Sequence, residues 1–389
     1  MLKHYFADLH IHIGRDMYGK PVKITGSKSL TLTNVLKEAS RRKGIQLIGI
    51  IDCHAPAVQD EIKKLLAVGE ATELEEGGIQ FENATLLLGS EIEVYDEYSK
   101  GPIHVLCFFP TLKKMAQFTE WLVDHMKNIT LSSQRYYGTG KDLQYKVKEL
   151  SGLFLIAHAF TPFKSLYGIG VSKSLSEVFD PDLIDGIELG LSSDTEMADS
   201  IAELTDYTYV TNSDAHSLAK IGREYQEIRM EHPSFAEFEL ALHEIKGRRI
   251  VKNYGMNPLL GKYHKTVCAA CFTSVALNTS VCPKCESKKI IKGVKDRIDE
   301  LASGHESTRE RPAYQYQVPL EYLPKLGPKT FEKLLDHFGT EMNIIHHAPL
   351  EELKAVIPEK LATAIIEMRN GNVSIQAGGG GKYGKIDPS

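Results

Sequence analysis

The sequence predicts an α/β fold over its first 255 residues, built from short buried strands that alternate with amphipathic helices. Two observations support this fold class. Seven short apolar segments recur along the region, and helical patterns of apolar residues lie between several of them. Acidic residues and histidines gather near the ends of the same segments, where α/β folds place their functional side chains. We therefore expect a layered or barrel-like sheet with mainly parallel strands.

The predicted elements follow in a regular order. The apolar segments that predict strands cover residues 4–6, 46–51, 85–93, 104–109, 153–157, 186–189 and 209–211. The helical patterns begin near residue 33 and cover 56–68, 112–127 and 197–205. Turn residues cluster at 253–258, before a compact cysteine segment and a small helical segment. The predicted domains are therefore residues 1–255, a four-cysteine module at 256–300, a helical domain at 301–372 and a disordered, glycine-rich tail at 373–389.

The composition is typical of a soluble globular protein, with 42% hydrophobic and 25% charged residues and a net charge of −5 in 389 residues. No apolar run approaches the roughly 20 residues that span a bilayer, and residues 1–8 lack the apolar stretch of a signal peptide. We therefore expect a cytoplasmic location. Residues 246–311 carry 14 Lys and Arg against 6 Asp and Glu, which suits either a phosphate-binding face or a solvated basic linker.

Six motifs at or near the strand ends carry residues that can bind metals. Residues i and i+2 of a strand point to the same face, so His10 and His12 can hold one ion together, as can Asp214 and His216. Asp8 shares that face in the first strand and could orient a histidine ligand. A single histidine on an apolar strand is usually a packed residue, but six such signals are hard to explain by packing because buried charges are costly. Two or three ions held in this way can clamp a phosphoryl group and activate water.

The motifs DLHIH, IDCH, GSEIEV, IHVLCFF, LIAHAF and NSDAH resemble, in this order, the metal motifs of the PHP (polymerase and histidinol phosphatase) family. The resemblance covers the first predicted domain and implies a distorted (β/α)7 barrel with metals at its mouth. The metal ligands that it implies are His10, His12, His54, Glu91, His104, His158, Asp214 and His216. It also implies that Asp8 and Asp52 support the ligands, and that Asp8, Glu91, Asp214 and His216 take part in catalysis.

Three positions are left open by this resemblance. Many PHP proteins have a further histidine or aspartate shortly after the first motif, where this chain has Arg15 and Asp16. Asp16 could be that ligand, or Arg15 could instead bind phosphate. The presence of a third metal depends on this point. Glu188, at the end of its strand, is a further candidate ligand.

Four cysteines form the pattern Cys268-x-x-Cys271 and, ten residues later, Cys282-x-x-Cys285. Two such turns can supply four thiolates in a tetrahedron, which is typical of a structural zinc site without an open position for water. The alternative is a set of free thiols. The other two cysteines lie in apolar strand-like runs and are expected to be buried.

The stretch LPKLGPKT at residues 323–330 resembles the hairpin of helix-hairpin-helix motifs, which bind DNA phosphates without sequence specificity through backbone N–H groups. A second, degenerate helix pair is predicted at 351–356 and 360–369. The alternative is a plain helical cap with a Pro-Gly turn.

The order of these segments resembles the endonuclease Q family over nearly the whole chain. The resemblance implies a DNA-repair endonuclease that cuts on the 5′ side of deaminated bases (uracil, hypoxanthine, xanthine) and of abasic sites. Its cofactors would be a structural zinc and two or three divalent ions (Zn, Mn, Mg or Fe) in the PHP site. Two other functions stay open: a phosphomonoesterase for a metabolite such as histidinol phosphate, and a non-catalytic DNA-binding module with a degenerate metal site. The complete ligand set argues against the second.

Overall fold

The computed structural model describes residues 1–302, 304, 308–372, 375–376 and 385–386. Its strands are β1 Lys3–Ile11, β2 Leu47–Ile50, β3 Thr72–Glu73, β4 Ile79–Phe81, β5 Ala84–Val94, β6 Ile103–Phe109, β7 Arg135–Tyr136, β8 Leu153–Ile156, β9 Gly186–Glu188, β10 Tyr209–Val210, β11 Tyr225–Met230, β12 Arg249–Gly255, β13 Val267–Cys268, β14 Ile290–Ile291, β15 Ala313–Tyr316, β16 Ile375–Gln376 and β17 Lys385–Ile386. Its α-helices are α1 Leu32–Lys37, α2 Pro56–Ala67, α3 Leu112–Val123, α4 Gly140–Glu149, α5 Thr195–Asp199, α6 Phe235–Leu242, α7 Val294–Leu301, α8 Pro328–Phe338, α9 Glu341–His346, α10 Leu350–Val356 and α11 Glu359–Arg369. Apart from β16 and β17, the predicted tail lies outside the described residues.

The central element is one mixed, curled sheet with the strand order β10-β9-β8-β6-β5-β2-β1-β11-β12-β15. The first seven strands on this path are the seven that the sequence predicts, which confirms the fold class. β2, β6 and β8 are buried at every position, as expected for strands covered on both faces. Neighbouring residues of β5 belong to different apolar clusters, Leu86 to one and Leu87 to the other, so side chains pack on both faces of the sheet.

The expectation of mainly parallel strands is wrong for part of the sheet. β2 runs parallel to β1 and β5, but β6 is antiparallel to both β5 and β8. The connection from β5 to β6 is short and contains no helix, and a parallel return would need a crossover of a dozen or more residues. As a result β6 begins at the edge where its neighbours end. His104, the second residue of β6, therefore lies at the same edge as residues that follow the parallel strands.

The last helix predicted in the first domain is shorter than expected, and part of the sheet was not predicted. The helix predicted at 197–205 is in fact α5, which ends at Asp199, followed by extended backbone at Ile201 and a short turn at Ala202–Leu204. The Ser200 hydroxyl donates to the Met197 carbonyl, a local bond that competes with helix continuation. β11 and β12, which extend the sheet beyond β1, and α6, which connects them, are not among the predicted elements. Among the described residues, no helix combines the length and apolar character that crossing a bilayer requires.

The helical segment packs directly on the first domain. β15, from the segment predicted to be helical, pairs in parallel with β12 at the edge of the sheet. His346 of α9 stacks on Phe6 of β1 with ring centroids 4.6 Å apart. The Tyr225 hydroxyl lies 2.6 Å from His346 Nε2 and accepts a hydrogen bond from Gln317 Nε2, so its own proton is available for the histidine. The neutral imidazole therefore acts as an acceptor at this junction.

Acidification is expected to weaken the junction through His346. Burial and the nearby charges of His347, Arg369 and Lys252 lower the pKa of His346 to about 3. In the unfolded chain the imidazole takes up this proton near its ordinary pKa of roughly 6.5. The free energy of unfolding therefore decreases as the pH falls from 6.5 towards 3, by up to about 3 kcal/mol between pH 6.5 and 4. Urea unfolding of the wild type and of His346→Gln over this range measures the effect. The variant should lose part of the acid dependence, and identical slopes would exclude His346 as its source.

Candidate metal centre

β1 places three polar side chains on one face at its carboxyl end. Asp8 and His10 lie in β1 and His12 directly follows it, and all three are fully buried. Leu9, between them, points to the opposite face and packs in the apolar core. The rings of His10 and His12 are 5.4 Å apart. The strand period of two residues thus brings the two histidines to one site, as predicted.

The first group of possible ligands consists of His10, His12 and Asp214, whose ligand atoms all lie within 4.8 Å of one another. Asp214 Oδ1 is 3.5 Å from His10 Nε2 and 3.4 Å from His12 Nε2. Asp214 has a backbone φ of 46°, uncommon for a residue other than glycine and often found at functional sites. Burial raises the pKa of Asp214, but the neighbouring His10 and His12 outweigh it and hold that pKa well below its usual range.

The second group consists of Glu91, His104 and His158, again with ligand atoms within 4.8 Å. Glu91 Oε1 lies 2.7 Å from His104 Nδ1, 3.4 Å from His158 Nε2 and 3.5 Å from His10 Nε2. Its other oxygen, Oε2, lies 3.6 Å from His12 Nε2. Burial opposes ionisation of Glu91, but His104 and Lys23 outweigh it and the pKa stays well below the ordinary value. An ionised Glu91 therefore lies between the two groups and can serve both.

Buried polar atoms without a hydrogen-bond partner indicate whether this centre fits divalent ions. Buried polar atoms are almost always hydrogen-bonded. Four buried atoms of the two ligand groups have no hydrogen-bond partner among the described residues: His10 Nε2, His12 Nε2, His104 Nε2 and Asp214 Oδ1. Imidazole nitrogen and carboxylate oxygen are the ligand atoms that zinc, manganese and iron accept. The donor set therefore fits metal ions of this kind.

Two further carboxylates contact the Nδ1 atoms of His10 and His12. Glu188 lies 3.0 Å from His10 Nδ1 and also accepts a hydrogen bond from the His158 backbone N–H. Asp52 lies 3.2 Å from His12 Nδ1 and accepts from the Ile13 N–H. Burial opposes ionisation of Asp52, but His12 outweighs it and lowers the pKa. Both contacts leave Nε2 of each ring for a metal, the usual role of a carboxylate behind a histidine ligand. Glu188 thus contacts the His10 nitrogen that lies opposite Nε2, and its ligand role stays a prediction.

His54 and His216 lie outside the two groups. The His54 ring has its Nδ1 2.8 Å from the Ser90 hydroxyl and its Nε2 3.2 Å from the Leu131 carbonyl, so both nitrogens are engaged. His216 is partly exposed and its ring lies 4.6 Å from that of His12, at the rim of the centre. Burial and His12 lower the pKa of His216, which favours the neutral ring. Ligand roles for both residues stay predictions.

Asp8 and Asp16 have backbone partners in the structure. The Asp8 carboxylate accepts from the N–H groups of Ser213 and Gly222, and so ties the loop that carries Asp214 to β1. The Asp16 carboxylate accepts from the N–H groups of Tyr18 and Lys20 and closes its own loop. Neither belongs to the two groups of possible ligands. The catalytic role of Asp8 and the ligand role of Asp16 stay predictions.

Sequence reasoning missed Lys23 and Ser133, which both contact Glu91. Lys23 Nζ lies 3.2 Å from Glu91 Oε2 and 2.6 Å from the Ser133 hydroxyl. That hydroxyl also donates to Glu91. Both residues come from loops without a recognisable motif, so no sequence signal points to them. Lys23 places a positive charge beside Glu91 that can meet an anionic substrate.

Known proteins and family models are similar to this chain over most of its length. A family model described as PHP-associated matches residues 193–246, and one described as the MJ0043 C-terminal domain matches residues 328–372. The uncharacterized protein YqxK of Bacillus subtilis is 53% identical over 387 residues, with 100% of each chain covered. The uncharacterized protein MJ0043 of Methanocaldococcus jannaschii is 37% identical over 254 residues, 59% of this chain and 31% of that protein.

Solved structures decide the family. The lesion-specific endonuclease PfuEndoQ of Pyrococcus furiosus is 33% identical, with 99% of this chain and 95% of that chain covered and a TM-score of 0.85. The chain belongs to the endonuclease Q family. Endonuclease Q in complex with a 27-mer duplex that has an abasic lesion at the active site aligns with a TM-score of 0.84 over 99% of this chain. Together with its PHP fold, this membership makes the chain a metal-dependent endonuclease.

In this endonuclease Q family member the four cysteines of the two Cys-x-x-Cys turns also lie close together. Their sulfur atoms all lie within 4.8 Å of one another, with Cys268 and Cys285 3.5 Å apart and Cys271 and Cys282 3.6 Å apart. Zn–S bonds of 2.3 Å in a tetrahedron imply S···S distances of about 3.8 Å. Hydrogen bonds with Thr273 lower the pKa of Cys271 to about 6, which favours the thiolate. The cluster therefore fits a four-coordinate zinc ion, whose identity stays a prediction.

Proposed function

We propose that this endonuclease Q family protein is a DNA-repair enzyme that hydrolyses the phosphodiester on the 5′ side of deaminated bases and abasic sites. The observation that carries the proposal is the structural likeness over 99% of the chain to a lesion-specific endonuclease and to an abasic-DNA complex. The alternative, a small-molecule phosphomonoesterase, has no use for the four-cysteine cluster or for the helical segment.

The geometry supports a hydrolytic role for each part of the centre. His10, His12 and Asp214 would hold one ion and Glu91, His104 and His158 another, with Glu91 between them. Bound there, divalent ions supply Lewis acidity and an activated water for attack on phosphorus. Lys23 neutralises part of the Glu91 charge and can contact a phosphate oxygen. Glu188 and Asp52 keep the histidine rings oriented, so that the ligand atoms need little rearrangement when substrate binds.

Two parts of the chain support binding to duplex DNA. The hairpin predicted from LPKLGPKT is an exposed turn in which Lys325 has a φ of 72° and Gly327 caps α8, with open space around Gly327. The N–H groups of Leu326 and Gly327 donate to carbonyls within the turn. The side chains of Lys325 and Lys329 can meet a backbone phosphate at the N-terminus of α8. Unlike a full helix-hairpin-helix unit, the turn is preceded only by a 3-10 turn at Leu320–Tyr322. We propose non-specific backbone contacts for this hairpin and for the basic residues beside the cysteine cluster.

A nicking assay tests the proposal. End-labelled duplexes that contain uracil, hypoxanthine, xanthine, an abasic site or no lesion are incubated with the purified protein and Mg²⁺, Mn²⁺ or Zn²⁺. A single cut on the 5′ side of the lesion, leaving 3′-hydroxyl and 5′-phosphate ends, is the expected result. Equal cutting of undamaged duplex would contradict lesion specificity. Release of phosphate from histidinol phosphate, without any cut in DNA, would favour the phosphomonoesterase instead.

A further inference from the structure

A rigid turn beside the metal centre carries an exposed apolar side chain. Residues 23–26 form a turn closed by a 3.0 Å hydrogen bond from the Gly26 N–H to the Lys23 carbonyl, with Ile24 and Thr25 at its apex. Ile24 is 70% exposed to solvent. Its neighbour Lys23 reaches into the centre and bonds Glu91. Ile24 is therefore one residue away from a side chain that contacts a predicted metal ligand.

The turn is fixed to the backbone of the metal-binding motifs at both ends. The Lys23 N–H donates to the Ile13 carbonyl at 2.8 Å, next to His12. The Ser27 N–H donates to the His216 carbonyl at 2.8 Å. Gly26 packs directly on Gly14, where an added Cβ at position 26 would lie 2.8 Å from the Gly14 Cα. Such close backbone contact fixes the position of Ile24 and Thr25 relative to the metal centre.

The charge around the turn suits a nucleic acid. Residues 15–28 contain four cations, Arg15, Lys20, Lys23 and Lys28, against one carboxylate, Asp16. An excess of positive charge beside a phosphodiester site favours contact with the DNA backbone. An isolated exposed apolar residue needs no explanation on most surfaces. On a fixed turn that belongs to a cation-rich loop and is joined to the hydrolytic centre, it has the features of a side chain that enters a base stack.

We propose that Ile24 is a wedge that inserts between bases of duplex DNA and opens the stack at the lesion, so that the target nucleotide can reach the metal centre. The inference rests on the proposed function and adds a residue that decides between paired and unpaired substrates. DNA enzymes that act on a single nucleotide must unstack it, and apolar side chains inserted at a base step lower the cost of doing so. Ile24 touches no metal ligand in this role and leaves the hydrolytic step itself unchanged.

The test compares single-turnover cleavage of two substrates by Ile24→Ala, by Ile24→Leu and by Val68→Ala. Val68 is another exposed apolar residue, 61% exposed, at the far end of α2. One substrate has a uracil in a fully paired duplex, and the other has the same uracil in a bubble whose flanking pairs are already open. A 2-aminopurine beside the uracil reports unstacking by stopped-flow fluorescence.

We expect Ile24→Ala to cut the paired duplex about tenfold more slowly than the wild type and the bubble within about twofold, because only the paired duplex must be unstacked. The fluorescence rise before cleavage should be lost in Ile24→Ala and kept in Ile24→Leu and Val68→Ala. Equal cleavage of the paired duplex by Ile24→Ala and the wild type, or equal slowing on both substrates, would overturn the wedge. If the wild type hydrolyses bis(p-nitrophenyl) phosphate but cuts neither uracil substrate, the proposed function itself fails.

Discussion

Replacing Asp214 by asparagine is expected to abolish hydrolysis while leaving the fold intact. Asp214 Oδ1 lies 3.4–3.5 Å from both His10 Nε2 and His12 Nε2 and has no hydrogen-bond partner among the described residues. An amide has the same shape but no charge, so one ion loses its anionic ligand. Loss of several kcal/mol of charge stabilisation corresponds to a rate decrease on the order of 10³-fold or more. Single-turnover cleavage and metal content by mass spectrometry measure the two effects.

A matched control keeps this result interpretable. Asp60 lies on the exposed face of α2, and its side-chain partner among the described residues is Lys63, with which it forms a surface ion pair. Asp60→Asn should cut DNA at the wild-type rate and keep the wild-type metal content. If Asp214→Asn retained more than about a tenth of the wild-type rate under single turnover, the assignment of Asp214 as a ligand would be wrong. Loss of the cooperative thermal unfolding transition in Asp214→Asn would show instead that the residue serves stability.

Replacing Cys268 by serine is expected to remove one zinc ion per chain and to loosen residues 263–293. The four sulfur atoms converge within 4.8 Å, and the regular secondary structure of this segment is limited to the two-residue strands β13 and β14. Zinc binding of about 10–16 kcal/mol can order a small domain of this kind. Affinity for duplex DNA should fall at least about tenfold if the segment supplies phosphate contacts. Hydrolysis of bis(p-nitrophenyl) phosphate at the PHP centre should stay within about twofold, since no predicted ligand there changes.

The control for this variant is Cys53→Ala. Cys53 is fully buried in the first domain, where burial raises its pKa, so its thiol stays neutral. Its removal should not change the zinc content. Zinc analysis and limited proteolysis are run on both variants. An unchanged zinc content in Cys268→Ser, with the same proteolysis pattern as the wild type, would exclude a structural metal at the four cysteines.

The strands that carry the centre could be predicted because their local signals are strong. Each is a short apolar run, and several end in a motif such as DLHIH or NSDAH. The extension of the sheet by β11, β12 and β15 could not be predicted in the same way. β11 and β12 are amphipathic strands at the side of the sheet, and β15 is partly exposed. β11 pairs with β1, which lies more than two hundred residues earlier in the chain. Short-range sequence patterns do not contain that information.

The individual roles within the centre were only partly predictable. The i, i+2 spacing places His10 and His12 together because side chains alternate along a strand. The same reasoning groups Asp214 with His216, yet Asp214 has a left-handed backbone after β10 and turns towards His10 and His12 instead. His104 reaches the centre because β6 runs antiparallel to its neighbours. Spacing arguments hold inside regular strands and fail where the backbone leaves the strand.

The sequence by itself determined the α/β class, the residue types of the metal centre and the four-cysteine pattern, because each depends on periodicity or spacing over a few residues. Only the tertiary structure decided that Glu91 lies between two ligand groups, which histidine Glu188 and Asp52 each contact, and that Lys23 enters the centre. These contacts join residues 40 to 178 positions apart, measured from Asp52 to His12 and from Glu188 to His10. They exist only because the curled sheet brings the ends of separate strands to one edge, where buried charges must find partners in one another.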